Sequence, residues 1–147
     1  MKRDIIVFGA LAGIIGNLVK LGVALPLYYV GLIKTTYLHI ASGYHGNHTL
    51  GSIFSIINGV FSDFVYAAFL GVLFYIILRY TDMKYVGLKG IFLGGFIHVI
   101  NNGVLLFGDF NKISIDDQTS VLLIIPTIIF GFSACWIIKR IEKGHMK

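Results

Sequence analysis

The chain has 147 residues, of which 56% are apolar and only 13% are charged. Soluble domains usually carry about 25% charged and about 45–50% apolar residues. The surplus of apolar side chains is more than one soluble core of this length can bury. The composition therefore excludes an ordinary soluble enzyme, a disordered chain and a collagen-like fibre, and it predicts an integral membrane protein.

Four stretches have the roughly 20 mostly apolar residues that a membrane-spanning helix needs. They cover residues 5 to about 25, 51–78, 86–107 and 121–138. The connecting segments are too short to hold another domain, so residues 1–147 are predicted to form one all-α transmembrane domain, a four-helix bundle. We expect Pro26 to end the regular part of the first helix. Helical spacing of apolar residues over 33–41, followed by Gly43, predicts a short interfacial helix in the first outer loop.

Basic residues sort to one side of the predicted spans. The inner side would carry nine of the twelve: Lys2, Arg3, Arg79, Lys84, Lys89, Lys139, Arg140, Lys143 and Lys147. The outer side would carry Lys34 and Lys112, and Lys20 lies within a span. The positive-inside rule then predicts a multi-pass protein of the cytoplasmic membrane with both termini inside. Because these cations form a fringe near the lipid headgroups, we expect no nucleic-acid partner.

Small and polar residues share one face of each predicted helix at about 100° per residue. Glycines on these faces allow two helix backbones to approach closely. We therefore assign helix packing to Gly9, Gly13, Gly16, Gly59, Gly90 and Gly94.

Polar side chains from three helices reach one level, at the middle of the membrane or in its outer half. This predicted polar cluster consists of Asn17, Lys20, Asn58, Asp63, His98, Asn101 and Asn102. Ionisable groups at bilayer depth are costly and usually face a partner or a water-filled cavity. We expect an ion pair between Lys20 and Asp63, with His98 and the asparagines completing its hydrogen bonds.

Two readings of this cluster remain open. In one, the network only fixes how the helices pack, as in a structural or anchoring subunit of a larger membrane complex. In the other, it lines a pathway for a solute or ion in a channel, carrier or solute-binding membrane subunit. The second reading suggests a homo-oligomer, since four helices enclose little space.

The sequence contains few features that indicate an enzyme active site. The single cysteine, Cys135, excludes a CxxC pair of the kind that quinone-linked thiol oxidoreductases use. The histidines of the outer loop match no standard zinc site. We therefore expect no catalytic residues, no metal and no cofactor.

The first and third predicted spans resemble each other. Gly9, Gly13, Asn17 and Lys20 have the same spacing as Gly90, Gly94, His98 and Asn101. Both helices would run in the same direction, so the pattern is compatible with a parallel repeat of a helix pair. Packing glycines alone would also produce it.

The chain also resembles small four-helix membrane proteins of Firmicutes. The resemblance rests on residues 8–13 with Asn17 and Lys20, on segments 26–28, 34–37, 40–43 and 62–64, and on Lys89, Gly90, Gly94 and His98. It extends over most of the chain. It implies a bacterial cytoplasmic membrane and carries no activity with it.

Overall fold

The computed structural model describes residues 4–43, 53–107 and 116–144, and all regular structure in these ranges is helical. The elements are α1 (Ile5–Tyr29), α2 (Tyr37–Gly43), α3 (Ile53–Tyr80), α4 (Val86–Phe107), α5 (Asp117–Leu122) and α6 (Ile124–Lys143). Within the described part, three segments are long and apolar enough to cross a membrane: α1, α3 and the combined segment Asp117–Lys143. The chain is therefore an all-helical membrane protein. Helix α4 covers the range predicted for the third span, and its crossing of the membrane stays a prediction.

Helix α1 continues past Pro26, where its regular part was predicted to end, and is therefore longer than predicted. At its start, the Asp4 carboxylate accepts hydrogen bonds from the backbone N–H groups of Ile6 (2.9 Å) and Val7 (3.2 Å), an N-cap. Pro26 lacks an N–H donor, but its fixed φ suits a helix, so the last turn continues to Tyr29. The chain then turns at Gly31, whose φ is 80°.

The last predicted span is divided into α5 and α6 at Leu123. Pro126 follows three residues later and cannot donate a backbone bond to the preceding turn. The carbonyl oxygen of Leu122 therefore receives no helical bond from position 126. The Thr127 hydroxyl donates to the next two carbonyl oxygens, those of Leu123 (3.0 Å) and Ile124 (2.8 Å).

Two glycine contacts hold the long helices in antiparallel pairs. A Cβ added at Gly13 of α1 would lie 2.1 Å from the Ala67 carbonyl oxygen of α3. A Cβ added at Gly94 of α4 would lie 2.4 Å from the Thr127 carbonyl oxygen of α6. No side chain larger than hydrogen fits these positions without separating the helices. The two helices with matching glycine spacing thus each pack on the long helix that follows them.

Helix α1 also packs on α6, so the long helices adjoin in the order α3, α1, α6, α4. Gly16 mediates this central contact, because a Cβ there would lie 3.1 Å from Cβ of Ala134. Helices α3 and α4, at the two ends of this order, contact each other only slightly. The arrangement therefore leaves a seam between α3 and α4.

The short helices α2 and α5 lie at the same end of the molecule. Ile33, Tyr37 and Ile40 form a buried apolar cluster with Leu123, which follows α5. The Thr119 hydroxyl accepts a hydrogen bond from the backbone N–H of Lys34 (3.0 Å). The short helix predicted before Gly43 is present as α2, but it begins at Tyr37 and packs on α3. Its predicted interfacial position stays a prediction.

Candidate functional site

The predicted ion pair is present at the centre of the site. The Lys20 ammonium of α1 lies 2.7 Å from Oδ1 of Asp63 on α3, and the two side chains are only 7% and 4% exposed. The Asn17 amide, one turn before Lys20, donates to the other carboxylate oxygen at 2.8 Å. Both oxygens of the buried carboxylate therefore have a donor.

Two aromatic rings flank the Lys20 ammonium. Its Nζ lies 4.8 Å from the ring centroid of Tyr37 on α2 and 5.9 Å from that of Phe130 on α6. A desolvated cation over an aromatic face gains about 2 kcal/mol. Removing two charges from water costs several kcal/mol per ion, so the carboxylate, the Asn17 amide and the rings together offset a large penalty.

A small cavity lies against the ion pair, on the side of the seam between α3 and α4. Its volume is about 20 Å³, which is room for about one water molecule. Five helices contribute to its lining, which consists of Lys20, Tyr37, Asp63, Tyr66, Ala67, Leu70, Ile97, Asn101, Thr127 and Phe130. Apolar atoms form most of its exposed surface, and residues with charged, hydroxyl or amide groups, Lys20, Asp63, Tyr66 and Asn101 among them, also line it.

One hydrogen bond crosses the seam beside this cavity. The Tyr66 hydroxyl of α3 donates to Oδ1 of Asn101 on α4 at 2.7 Å. Tyr66 is exposed and Asn101 is half-buried, whereas Asp63, one turn away from Tyr66, is buried. The Tyr66–Asn101 bond therefore lies at the more exposed edge of the cavity.

A chain of polar groups leads from the ion pair toward α5. The Asn102 amide donates to Nε2 of His98 at 2.8 Å, and Nδ1 of the same ring lies 3.5 Å from the Tyr37 hydroxyl. Asn102 also contacts the Ser120 hydroxyl on α5 at 3.3 Å. Tyr37, whose ring lies over the Lys20 ammonium, thus connects the buried charge with the imidazole of His98.

The predicted cluster is therefore assembled only in part. Asn17, Lys20 and Asp63 bind one another, whereas His98 does not complete the bonds of the pair as expected, because Tyr37 stands between them. Asn101 and Asn102 bond to Tyr66 and His98 instead. Asn58 is half-buried on α3 and is not part of the cavity lining.

The packing glycines occupy the helix contacts. Gly9 and Gly13 face α3, Gly16 faces α6, and Gly90 and Gly94 face α6 from the opposite side; Gly59 is buried on α3. Their counterparts Gly71 and Gly131 were not assigned this role from the sequence. Both approach a facing backbone equally closely, with Cβ positions 2.2 Å from the carbonyl oxygens of Gly9 and Gly90.

Tyr37 and Phe130 are site residues that sequence reasoning missed. The ring of Tyr37 is of the amphipathic kind that is typical of a membrane boundary. Its position three residues after Lys34, in a segment of helical spacing, carried no sign that it would fold back over Lys20. Phe130 lies three residues after Thr127, on the same face of its helix, and that spacing is the one available signal.

His39 lies in α2, outside the predicted spans, and the pKa of its imidazole is shifted. Its Nδ1 accepts from the Thr36 backbone N–H (3.3 Å), and burial lowers the pKa of the ring. Among the described residues, no group of three histidine, cysteine or carboxylate side chains is placed to hold a metal ion.

In comparisons with protein-family models, curated proteins and solved structures, none matches this chain.

Proposed function

We propose that the protein is a small membrane carrier, channel or solute-binding membrane subunit whose polar pathway runs through the cavity beside Lys20 and Asp63. The observation that carries the proposal is the placement of a small cavity, with charged and amide side chains in its lining, against a buried ion pair at a seam between two helices that barely touch.

The geometry suggests how a solute or ion would pass. Separation of α3 from α4 requires the loss of few contacts between described residues, and the Tyr66–Asn101 bond is a polar link across that seam. Opening there would expose the Asp63 carboxylate and the Lys20 ammonium to water. The site would then offer a fixed carboxylate, an ammonium and amide groups to a small polar solute or ion.

The same proposal includes the membrane topology. Helix α4 would be the third of four spans, since Phe92, Phe96 and Val99 leave a continuous apolar face exposed. Both termini would lie in the cytoplasm of a bacterial cell, as the basic residues and the resemblance to Firmicute proteins suggest. Assembly into an oligomer would enlarge the enclosed space.

One observation favours the second candidate, a structural subunit of a membrane complex. Both carboxylate oxygens of Asp63 accept hydrogen bonds from buried donors, and the cavity has room for only about one water molecule. A permanently closed network of this kind would serve to fix helix packing.

Cysteine accessibility separates the two candidates. In a Cys135→Ser background, single cysteines are introduced as Thr127→Cys in the cavity lining and as Phe69→Cys on the exposed apolar face of α3. The protein is reconstituted in vesicles and treated with a membrane-impermeant, charged thiosulfonate. A pathway predicts that Thr127→Cys reacts although Thr127 is buried, and that Phe69→Cys in lipid does not.

The Tyr66→Phe variant provides a second test in the same labelling experiment. It removes the bond to Asn101 and is expected to raise the labelling rate of Thr127→Cys several-fold. Efflux of entrapped protons, Na⁺ and K⁺ from the same vesicles tests for conduction. A Thr127→Cys that stays unreactive with and without Tyr66→Phe, in folded protein, would favour the structural subunit.

A further inference from the structure

A second charged feature lies at the opposite end of the molecule, on α6. Trp136, Lys139, Arg140 and Lys143 are spaced by three, one and three residues, so they share one face of the helix. With Gly144 they line an open cavity of about 510 Å³. We refer to these four side chains as the α6 basic face.

Polarity changes in a definite order along this face. The exposed ring of Phe132 stacks on the indole of Trp136, with centroids 5.9 Å apart and planes inclined by 19°. The Arg140 guanidinium lies 5.6 Å from the centroid of the same indole, and Lys143 follows one turn later. An apolar ring, an amphipathic indole and two cations thus succeed one another toward the helix end. A phospholipid has the same order from its acyl chain through its glycerol to its phosphate.

The positive charge of the face is not neutralised within the described part of the chain. Neither Lys139, Arg140 nor Lys143 forms an ion pair with a described carboxylate. Glu142, the nearest carboxylate in sequence, accepts a hydrogen bond from the Tyr75 hydroxyl of α3. The face therefore has cations available for an external anion.

Lys89, at the same end of the molecule, shows the contrasting case. Its ammonium donates to the carbonyl oxygens of Thr81 (2.7 Å) and Asp82 (2.9 Å) and pairs with the Asp82 carboxylate at 3.3 Å. It thereby ties the turn between α3 and α4 to the start of α4. The cations of the α6 basic face differ from Lys89 in lacking such partners among the described residues and in adjoining an aromatic surface and a cavity.

We propose that the α6 basic face binds the headgroup of an anionic phospholipid, whose phosphodiester contacts Arg140 and Lys143 while an acyl chain lies along Trp136 and Phe132. Arginine presents planar N–H donors that suit phosphate oxygens, and lysine adds a point charge. A bilayer lipid fits better than free phosphate because free phosphate has no apolar part that could contact Trp136 and Phe132.

The test uses Trp136, the only tryptophan of the chain, as the reporter. The full-length protein is reconstituted in phosphatidylcholine vesicles that contain phosphatidylglycerol or phosphatidylcholine with the same brominated acyl chains. Bromine quenches a nearby indole, so the ratio of quenching measures the preference for the anionic lipid. We expect brominated phosphatidylglycerol to quench more strongly at equal mole fraction and 0.15 M salt.

Paired substitutions locate the preference. Arg140→Gln with Lys143→Gln is expected to reduce it about fivefold or more, since each basic residue near an anionic surface contributes about that factor. Arg140→Lys with Lys143→Arg keeps both charges and should retain most of it. The matched control, Arg79→Gln with Lys84→Gln, removes two exposed cations at the same end that do not line the cavity.

Three outcomes would overturn the proposal. The first is equal quenching by the two brominated lipids in the unmodified protein. The second is an equal loss of preference in the control variant, which would indicate a general surface potential. The third is displacement of the lipid preference by millimolar inorganic phosphate at constant ionic strength, which would indicate a site for free phosphate.

Discussion

Breaking the Lys20–Asp63 pair from one side is expected to destabilise the protein far more than removing both charges together. The side chains are 7% and 4% exposed, so either single change leaves an uncompensated charge away from water. Loss of one partner of a buried pair costs about 3–5 kcal/mol. We expect that cost for Lys20→Met and for Asp63→Asn.

The double variant Lys20→Met/Asp63→Asn should behave differently. It leaves no buried charge, and the new amide oxygen at position 63 can still accept from the Asn17 amide. Replacement of a buried pair by neutral groups of similar volume is often close to neutral. We therefore expect the double variant to lie within about 2 kcal/mol of the wild type and the coupling energy to reach about 4 kcal/mol or more.

Equilibrium unfolding in mixed micelles with increasing dodecyl sulfate measures these free energies, with Trp136 fluorescence and helical ellipticity as probes. A surface pair provides the matched control. Lys34 and Asp116 lie 3.8 Å apart with side chains 77% and 34% exposed, and such pairs contribute about 0–1 kcal/mol. A coupling energy at Lys20–Asp63 no greater than at Lys34–Asp116 would refute the reasoning.

Three further predictions concern packing, protonation and access. Gly94→Ala should cost about 1–3 kcal/mol, because its Cβ would lie 2.4 Å from a carbonyl oxygen of α6, whereas Gly95→Ala, with open space around it, should be neutral or stabilising in the same unfolding assay. For His39, NMR titration should give a pKa below 6.5 in the folded protein. Between that pKa and 6.5 the unfolded ring binds more protons than the folded one, so the contribution of His39 to stability is full above pH 6.5 and falls as the pH drops below 6.5. A pKa above 6.5 would contradict the burial of that ring and its acceptor role toward Thr36. Cys135, buried in the core, should react with a maleimide at least tenfold more slowly in the folded protein than in dodecyl sulfate, and equal rates would exclude the packing described for α6.

Physical constraints on single residues made part of the site predictable. A lysine and an aspartate at similar depth on two helices of a membrane domain are expected to pair with each other, because an unpaired charge there is costly. The pairing of Lys20 with Asp63 follows from that constraint and is present at 2.7 Å. The glycines of α1 and α4 were predictable for a similar reason, since close backbone approach tolerates no larger side chain.

Residues whose roles depend on how distant segments fold back were not predictable. Tyr37 has the amphipathic ring that is typical of a membrane boundary, and only the packing of α2 on α3 carries it over Lys20. His98 is separated from the ion pair by that same ring. Nothing in the spacing of α4 indicates this, because helical periodicity specifies a face of one helix and not what meets it.

The sequence by itself determined that the chain is an all-helical membrane protein, which of its residues avoid lipid, and that two buried charges must meet. These properties follow from transfer free energies and helical periodicity, which act locally along the chain. Only the tertiary structure decided the order α3, α1, α6, α4, the loose seam between α3 and α4, and the cavity of about 20 Å³ beside the ion pair. Those features depend on which glycine face meets which backbone, and that match is a property of two helices together.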